Sequence, residues 1–200
     1  MTAPRITVFS QITDPVLSCV RDRVQLPYKM LVSSLAEIPQ KLPAGMVRVD
    51  LAGHKAADGL LSFGAEVVGR AGASDPFVGV LTAMKQHGVQ EVNLLGCTID
   101  KDSAADKQIR SLAQAADLPV RGTKTPLNVF HYGHAGLLPG VEGDVFDDPP
   151  PRTDGPRFTV ADWLAAHPAP PTGRAVDMGF VTQLSQHLST DYLTCCPQDP

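Results

Sequence analysis

The sequence predicts an α/β fold in which helices flank a mostly parallel central sheet, with a proline-rich tail at the carboxyl end. Strand-like and helix-like segments alternate between residues 46 and 121, and such alternation favours a parallel sheet covered by helices. The character of the chain changes after about residue 139, since nine of its eighteen prolines lie beyond residue 148. We therefore expect an α/β domain over residues 1–140 and a tail with short helices over residues 141–200.

The elements before residue 46 are predicted from short patterns. Residues 6–9 are β-branched and aromatic, which is typical of a strand. Residues 14–24 carry valines at helical spacing after a proline in the first turn, so we expect a helix there. We expect a second short helix over residues 29–38, ended by Pro39.

The elements from residue 46 onward are more strongly marked. A strand over 46–51 is followed by a glycine-rich hairpin over 60–68, and a capped helix begins at residues 74–76 and ends at Gly88. A strand over 92–95, a helix over 102–116 and a strand over 118–121 complete the alternation. In the tail, helical spacing predicts short helices over 159–164 and 180–188.

The composition is that of a globular protein with a slightly acidic balance. The 17 Lys and Arg residues against 21 Asp and Glu residues give a net charge of −4, which argues against broad nucleic-acid binding. No apolar run approaches the roughly 18 residues of a membrane helix, and the amino terminus lacks a secretory signal pattern. Four cysteines in 200 residues do not form a disulfide framework. We expect a cytoplasmic protein without a cofactor, a nucleic-acid partner or a membrane partner.

Cys97 is the candidate nucleophile. It follows the strand over 92–95 and Gly96, and it precedes a helix. A thiol near a helix amino terminus is stabilised as thiolate, and the preceding glycine permits a tight turn in which backbone amides face a substrate oxygen. The alternative is a small side chain buried at a strand end, since free cysteine is commonly buried.

His54 is the candidate base. It follows the strand over 46–51 and Gly53, in the same arrangement as Cys97 after Gly96. Taken alone, it is equally consistent with a loop histidine that has no chemical role. Because parallel strands place their carboxyl ends at one edge of a sheet, the two residues together predict a cysteine–histidine dyad if their strands are neighbours.

His131 and His134 form a second candidate group. Two histidines three residues apart can share a metal on a helix or tight turn, and Asp144, Asp147 and His167 are further ligand candidates only by their closeness in sequence. The alternatives are a polar loop without chemistry and a loop that lines the cleft. The adjacent thiols of Cys195 and Cys196 are interpreted as unstructured or packing residues, although lipid or metal attachment stays open.

The two strand–glycine blocks resemble those of the caspase-like cysteine peptidase superfamily, and in particular its bacterial CHAT-like members. Residues 47–54 (VRVDLAGH) resemble the block that ends in the catalytic histidine, and residues 92–97 (VNLLGC) resemble the block that ends in the nucleophilic cysteine. The glycine-rich segment after His54 and the alanine-rich helix after Cys97 fit the same pattern. The resemblance covers roughly residues 5–138 and implies a caspase-like sandwich.

The resemblance implies hydrolysis of peptide bonds, with a separate protein or peptide or the chain itself as the substrate. Cys97 would form the acyl-enzyme and His54 would protonate the leaving amine. The backbone around Gly53, Lys55 and Gly96 would hold the oxyanion, through the Cys97 amide and an amide after His54. Lys55 departs from the family pattern, which usually has glycine at this position.

Three functions follow from these residues. The first is a cysteine peptidase that uses His54 and Cys97. The second is a catalytically silent caspase-fold adaptor, indicated by Lys55 and by a tail over residues 148–200 that would bind a protein partner. The third and weakest is a metal-dependent hydrolase at His131 and His134.

Overall fold

The computed structural model describes residues 4–11, 15–97, 99–125, 127 and 129–146. The predicted tail helices at 159–164 and 180–188, the partner-binding segment over 148–200 and the adjacent cysteines therefore lie outside the described residues. The strands are β1 (Arg5–Ser10), β2 (Lys29–Val32), β3 (Arg48–Ala52), β4 (His54–Lys55), β5 (Leu61–Phe63), β6 (Glu66–Val68), β7 (Glu91–Leu95), β8 (Val120–Gly122), β9 (Tyr132–Gly133) and β10 (Gly136–Leu137). The helices are α1 (Pro15–Arg23), α2 (Ile38–Lys41), α3 (Phe77–Gln86), α4 (Ala104–Ala116) and α5 (Glu142–Phe146).

The central sheet has five strands in the order β2-β1-β3-β7-β8. All of its strand pairs are parallel, so the predicted mostly parallel sheet with flanking helices is confirmed. The strand order changes direction at β1, whose neighbours are β2 on one side and β3 on the other. In open α/β sheets such a change of direction leaves a crevice at the carboxyl ends of the strands, where ligands bind.

Both faces of the sheet are covered, as a parallel sheet requires. Alternate residues of β1, β3 and β7 enter one apolar cluster with α3 and α4, which includes Val8, Leu51 and Leu94. The opposite face forms a second cluster with α1 and α5, which includes Phe9 and Leu95. The period of two along each strand thus places the same backbone between two layers of helices.

A small antiparallel sheet follows the end of β3. It has the order β4-β5-β6, and His54 of β4 pairs with Ser62 of β5. This confirms the hairpin predicted over residues 60–68 and adds a third strand that begins at His54. The chain then enters α3, which leads to β7 and Cys97.

The helix predicted over residues 29–38 is wrong in its first half. Lys29–Val32 is the edge strand β2, which pairs with β1 and buries Met30 and Val32. Backbone pairing with a strand twenty residues away outweighs the local helical pattern. Pro39 also does not end a helix, since it lies in the first turn of α2, where the missing N–H costs nothing.

A row of polar side chains crosses the face of the sheet that α5 covers. Thr7, Asp50 and Asn93 stand side by side in the register of β1, β3 and β7, and all three are at most 1% exposed. Asn93 Nδ2 donates to Asp50 Oδ1 at 2.8 Å, and Arg5 Nε lies 3.4 Å from Asp50 Oδ2. Burial raises the pKa of the Asp50 carboxyl despite the attraction of Arg5.

Helix α5 is held on this polar face by charge. Glu142 pairs with Arg5 and, at 2.9 Å, with Arg48. At the other end of the helix, Phe146 lies under the Arg121 guanidinium, 4.6 Å from ring centre to carbon. The described fold therefore continues past the expected boundary at residue 140 as far as Phe146. Within the described residues, no helix has the length and apolar character needed to cross a membrane.

The buried Asp50 carboxyl predicts a pH dependence of stability. Because the pKa of Asp50 is raised in the fold, the folded chain keeps the carboxyl proton at pH values above the ordinary carboxyl pKa of 3.8. At the same pH values the unfolded chain has released this proton. Its contribution therefore makes the free energy of unfolding fall as pH rises from that value. We expect Asp50→Asn to lose this fall, so that its stability relative to the native chain increases with pH.

Urea unfolding of the native chain and of Asp50→Asn between pH 4 and pH 8 measures this difference. Asp22→Asn, at a carboxyl whose side chain is 70% exposed, is the matched control and should run parallel to the native chain. A pH-independent difference between Asp50→Asn and the native chain would contradict the assignment.

Candidate active site

Two glycines bring the ends of β3 and β7 into backbone contact. A Cβ atom on Gly96, whose φ is +121°, would lie 2.0 Å from the Gly53 carbonyl oxygen and 3.5 Å from the His54 nitrogen. A Cβ atom on Gly53 would lie 2.2 Å from the Ser62 carbonyl oxygen. A side chain at either position would overlap backbone atoms. Gly96 therefore permits the close approach of the ends of β3 and β7, and Gly53 permits the close approach of β5 to the end of β3.

His54 is positioned by this contact and by the small sheet. It begins β4 directly after Gly53, and pairing with Ser62 fixes its backbone. The side chain is half-buried, and its Nδ1 is shielded from solvent. The structure thus places His54 at the carboxyl edge of the central sheet, beside the backbone of the turn that carries Cys97.

Cys97 lies on this turn with its side chain buried. It is 1% exposed, and its thiol donates to the Leu94 carbonyl oxygen at 3.2 Å. The sulfur lies 3.8 Å from the Thr123 hydroxyl, so its contacts are with β7 and with the residue that follows β8. Since β3 and β8 lie on opposite sides of β7, these contacts are on the side of β7 away from the strand that leads to His54.

The surroundings of Cys97 favour the neutral thiol. Burial raises its pKa to about 11, and this exceeds the opposing effects of hydrogen bonds and of the nearby Lys55 charge. At neutral pH the sulfur in this position is protonated and shielded. Attack on a carbonyl carbon therefore requires the sulfur to leave this position and lose its proton.

Lys55, the residue after His54, acts on Cys97 through its charge. The side chain is exposed, and its positive charge lowers the pKa of the Cys97 thiol, in opposition to burial. A cation next to the histidine thus favours the thiolate. The backbone amide of Gly53, near the expected oxyanion position, already has a partner within the fold. It donates to the Leu95 carbonyl oxygen at 2.9 Å.

Two residues that sequence reasoning missed surround the Cys97 sulfur, namely Gly122 and Thr123. A Cβ atom on Gly122 would lie 2.9 Å from the sulfur, so the absent side chain leaves room for it. Thr123 is fully buried and hydrogen-bonds to the Cys97 carbonyl oxygen. Parallel pairing of β7 with β8 could have indicated these two residues, because it brings the residues that follow both strands to the same edge of the sheet.

The second candidate group consists of His131 and His134, and His134 lies at the opposite edge of the sheet from His54 and Cys97. His134 packs edge-to-face on Tyr28, with ring centres 6.1 Å apart, and lines a cavity of about 410 Å³ beside Arg5. Because β1 and β2 begin at this cavity, it lies at the amino edge of the sheet. His131 precedes β9 and is half-buried. Among the described residues, no group of three or more His, Cys, Asp or Glu side chains could hold a metal.

The contact between the two strand ends predicts a large loss of stability for Gly96→Ala. The new Cβ atom would overlap the Gly53 carbonyl oxygen in a backbone conformation that favours glycine. We expect unfolding in urea to cost at least about 2 kcal/mol less than in the native chain. Gly79→Ala is the matched control, because its Cβ meets nothing within 4 Å and alanine in helix α3 should add about 0.5–1 kcal/mol. Equal stability of the two variants would rule out the close approach.

The raised pKa of Cys97 predicts slow alkylation at neutral pH. Relative to the ordinary thiol value of 9.0, a pKa of about 11 leaves roughly a hundredfold less thiolate at neutral pH. We expect iodoacetamide to modify Cys97 much more slowly than the half-buried Cys19, with a rate that climbs with pH towards 11. Peptide mass spectrometry after timed labelling measures both sites, and equal rates at pH 7 would contradict the buried thiol.

Comparison of the chain with models of known protein families, with curated proteins and with solved structures finds no match.

Proposed function

We propose that this protein is a cysteine peptidase with a caspase-like fold, in which Cys97 attacks the peptide carbonyl and His54 transfers protons. The observation that carries the proposal is the contact between Gly96 and the Gly53–His54 backbone at the carboxyl edge of the sheet. This contact supports the proposal because the backbones of the two turns are neighbours at the edge where α/β folds carry their chemistry.

The order of elements supports the caspase-like assignment. The buried parallel strand β3 is followed by Gly53 and His54, which begins the small antiparallel sheet. Helix α3 comes next, and the neighbouring parallel strand β7 is followed by Gly96 and Cys97. This is the succession that the resemblance implies for the two catalytic blocks. The two sequence blocks lie on paired strands, and this agreement supports the assignment more strongly than His54 or Cys97 does alone.

The reaction follows from the two groups. His54 accepts the proton of the Cys97 thiol, and the thiolate forms a bond to the carbonyl carbon of a protein or peptide substrate. Backbone amides near Cys97 and after His54 stabilise the oxyanion. Collapse of the tetrahedral intermediate breaks the C–N bond, and His54 gives a proton to the leaving amine. Water, deprotonated by His54, then hydrolyses the thioester and restores the thiol.

The buried sulfur makes the described arrangement a resting state of such an enzyme. Productive attack requires the sulfur to give up its contacts with Leu94 and Thr123 and to reach hydrogen-bond range of His54. The positive charge of Lys55 acts in the same direction, because it stabilises the thiolate once it forms. Substrate binding at the carboxyl edge is the natural event to drive this change.

A second candidate is a catalytically silent adaptor of the same fold. The observation in its favour is the burial of Cys97 together with its raised pKa, since a permanently neutral, shielded thiol is a packing residue. In this case residues 148–200, which lie outside the described residues, would bind a protein partner. No contact among the described residues favours the metal-dependent alternative.

The peptidase proposal predicts that Cys97→Ala and His54→Gln each lower cleavage of a peptide library, or of the chain itself, by at least about a thousandfold. Cys19→Ala, on helix α1 away from the site, is the control and should leave cleavage unchanged. Mass spectrometry of the products measures the rates. Unchanged cleavage by Cys97→Ala would contradict the assignment. If neither protein cleaves peptides and both the native protein and Cys97→Ala capture a protein partner, the adaptor is favoured.

A further inference from the structure

Thr123 joins the turn that carries Cys97 to the end of β8 at three points. Its amide donates to the Leu94 carbonyl oxygen at 3.2 Å, and its own carbonyl oxygen accepts from the Ile99 amide at 2.9 Å. Its hydroxyl donates to the Cys97 carbonyl oxygen at 2.5 Å. Because Thr123 is fully buried, these bonds are shielded from water and fix the turn on both sides of the cysteine.

The same residue borders the space that the sulfur occupies. Leu94 O accepts both from the Thr123 amide and from the Cys97 thiol, so one carbonyl oxygen ties the sulfur to the Thr123 backbone. The Thr123 hydroxyl oxygen lies 3.8 Å from the sulfur. Gly122 completes the space, since a Cβ atom there would lie 2.1 Å from Ile99 Cδ1 and 2.9 Å from the sulfur.

We propose that Thr123 is a positioning residue that retains the Cys97 sulfur in a buried resting place between β7 and β8. Movement of the sulfur out of this place controls the reactivity of the thiol. The catalytic meaning of this device rests on the proposed peptidase function. The retention itself does not, because it concerns only where the sulfur lies and how readily a small electrophile reaches it.

The hydroxyl is the part of Thr123 that a substitution can remove without changing its size. Thr123→Val keeps the branched shape and both backbone hydrogen bonds, but it loses the donor to Cys97 O and the oxygen beside the sulfur. Without the bond to the Cys97 carbonyl oxygen, the turn can move the sulfur out of its space. Because the Thr123 hydroxyl lowers the pKa of the thiol in its buried place, faster labelling of Thr123→Val would report movement of the sulfur and not a more acidic thiol. Thr123→Ser restores the hydroxyl without the methyl group, so it separates the hydrogen bond from packing.

The test is the iodoacetamide alkylation rate of Cys97 in the full chain at pH 7.5, read by peptide mass spectrometry for native protein, Thr123→Val and Thr123→Ser. We expect a rise of at least tenfold in Thr123→Val and a rate within about threefold of native in Thr123→Ser. Cys19, on helix α1, reports general loosening and should keep its native rate. The urea midpoints of all three proteins establish that each is folded under the labelling conditions.

Three results would overturn the proposal: an unchanged Cys97 rate in Thr123→Val, an equal rise at Cys97 and Cys19, or a rise in Thr123→Ser as large as that in Thr123→Val. If the valine variant does not fold, Thr123→Ala carries the same expectation against the same serine control. Labelling also separates this proposal from the function. If Thr123→Val is labelled faster but the native protein has no peptidase activity, retention of the sulfur is supported and the peptidase function is contradicted. If the native protein cleaves peptides but labelling of Thr123→Val is unchanged, the peptidase function is supported and retention by Thr123 is contradicted.

Discussion

The contact between Gly53 and Gly96 is the constraint on which the rest of the site depends. A Cβ atom on Gly96 would lie 2.0 Å from the Gly53 carbonyl oxygen, and one on Gly53 would lie 2.2 Å from the Ser62 carbonyl oxygen of the small sheet. Neither position accepts a side chain without movement of the main chain. The two glycines let β3 and β7 run in register to their last residues and still turn away in different directions. The first turn leads to His54 and the small sheet, and the second leads to Cys97 and α4. His54 and Cys97 therefore share one edge because β3 and β7 are parallel neighbours, and the missing side chain of Gly96 lets the two turns approach closely.

The opposite consequence of close packing is seen at Cys97 itself. The sulfur gains a hydrogen bond to Leu94 and a fitted space beside Gly122, but burial raises its pKa to about 11. Packing that stabilises the resting turn thus opposes formation of the nucleophile. The positive charge of Lys55 lowers the pKa of the thiol, and a movement of the turn that exposes the sulfur would lower it as well. The polar row of Thr7, Asp50 and Asn93 lies earlier on the central strands, where Glu142 pairs with Arg5 and Arg48 and holds α5 on the sheet. These contacts are therefore separate from the strand ends at which we propose the catalytic pair.

Much of this arrangement could be predicted from the sequence, since strong local patterns mark β3, α3, β7 and α4, and since parallel strands place their carboxyl ends together. The pairing of Asp50 with Asn93 was also within reach, because each stands three residues before the glycine of its block. Edge strand β2 was missed because its stability comes from pairing with β1 and not from local propensity. The roles of Gly122 and Thr123 were missed because they depend on the register of β7 with β8 and on the direction of one side chain, neither of which leaves a periodic pattern.

A crystal structure of the full chain after reaction with an irreversible peptidyl electrophile would decide whether Cys97 and His54 act together. We expect a covalent bond at the Cys97 sulfur, with the sulfur withdrawn from Leu94 and Thr123 and the His54 ring within hydrogen-bond range of the reacting atoms, about 2.6–3.2 Å. A protein that forms no adduct at Cys97, or an adduct in which His54 stays beyond about 8 Å from the sulfur, would contradict the account, because catalytic partners act at hydrogen-bond reach.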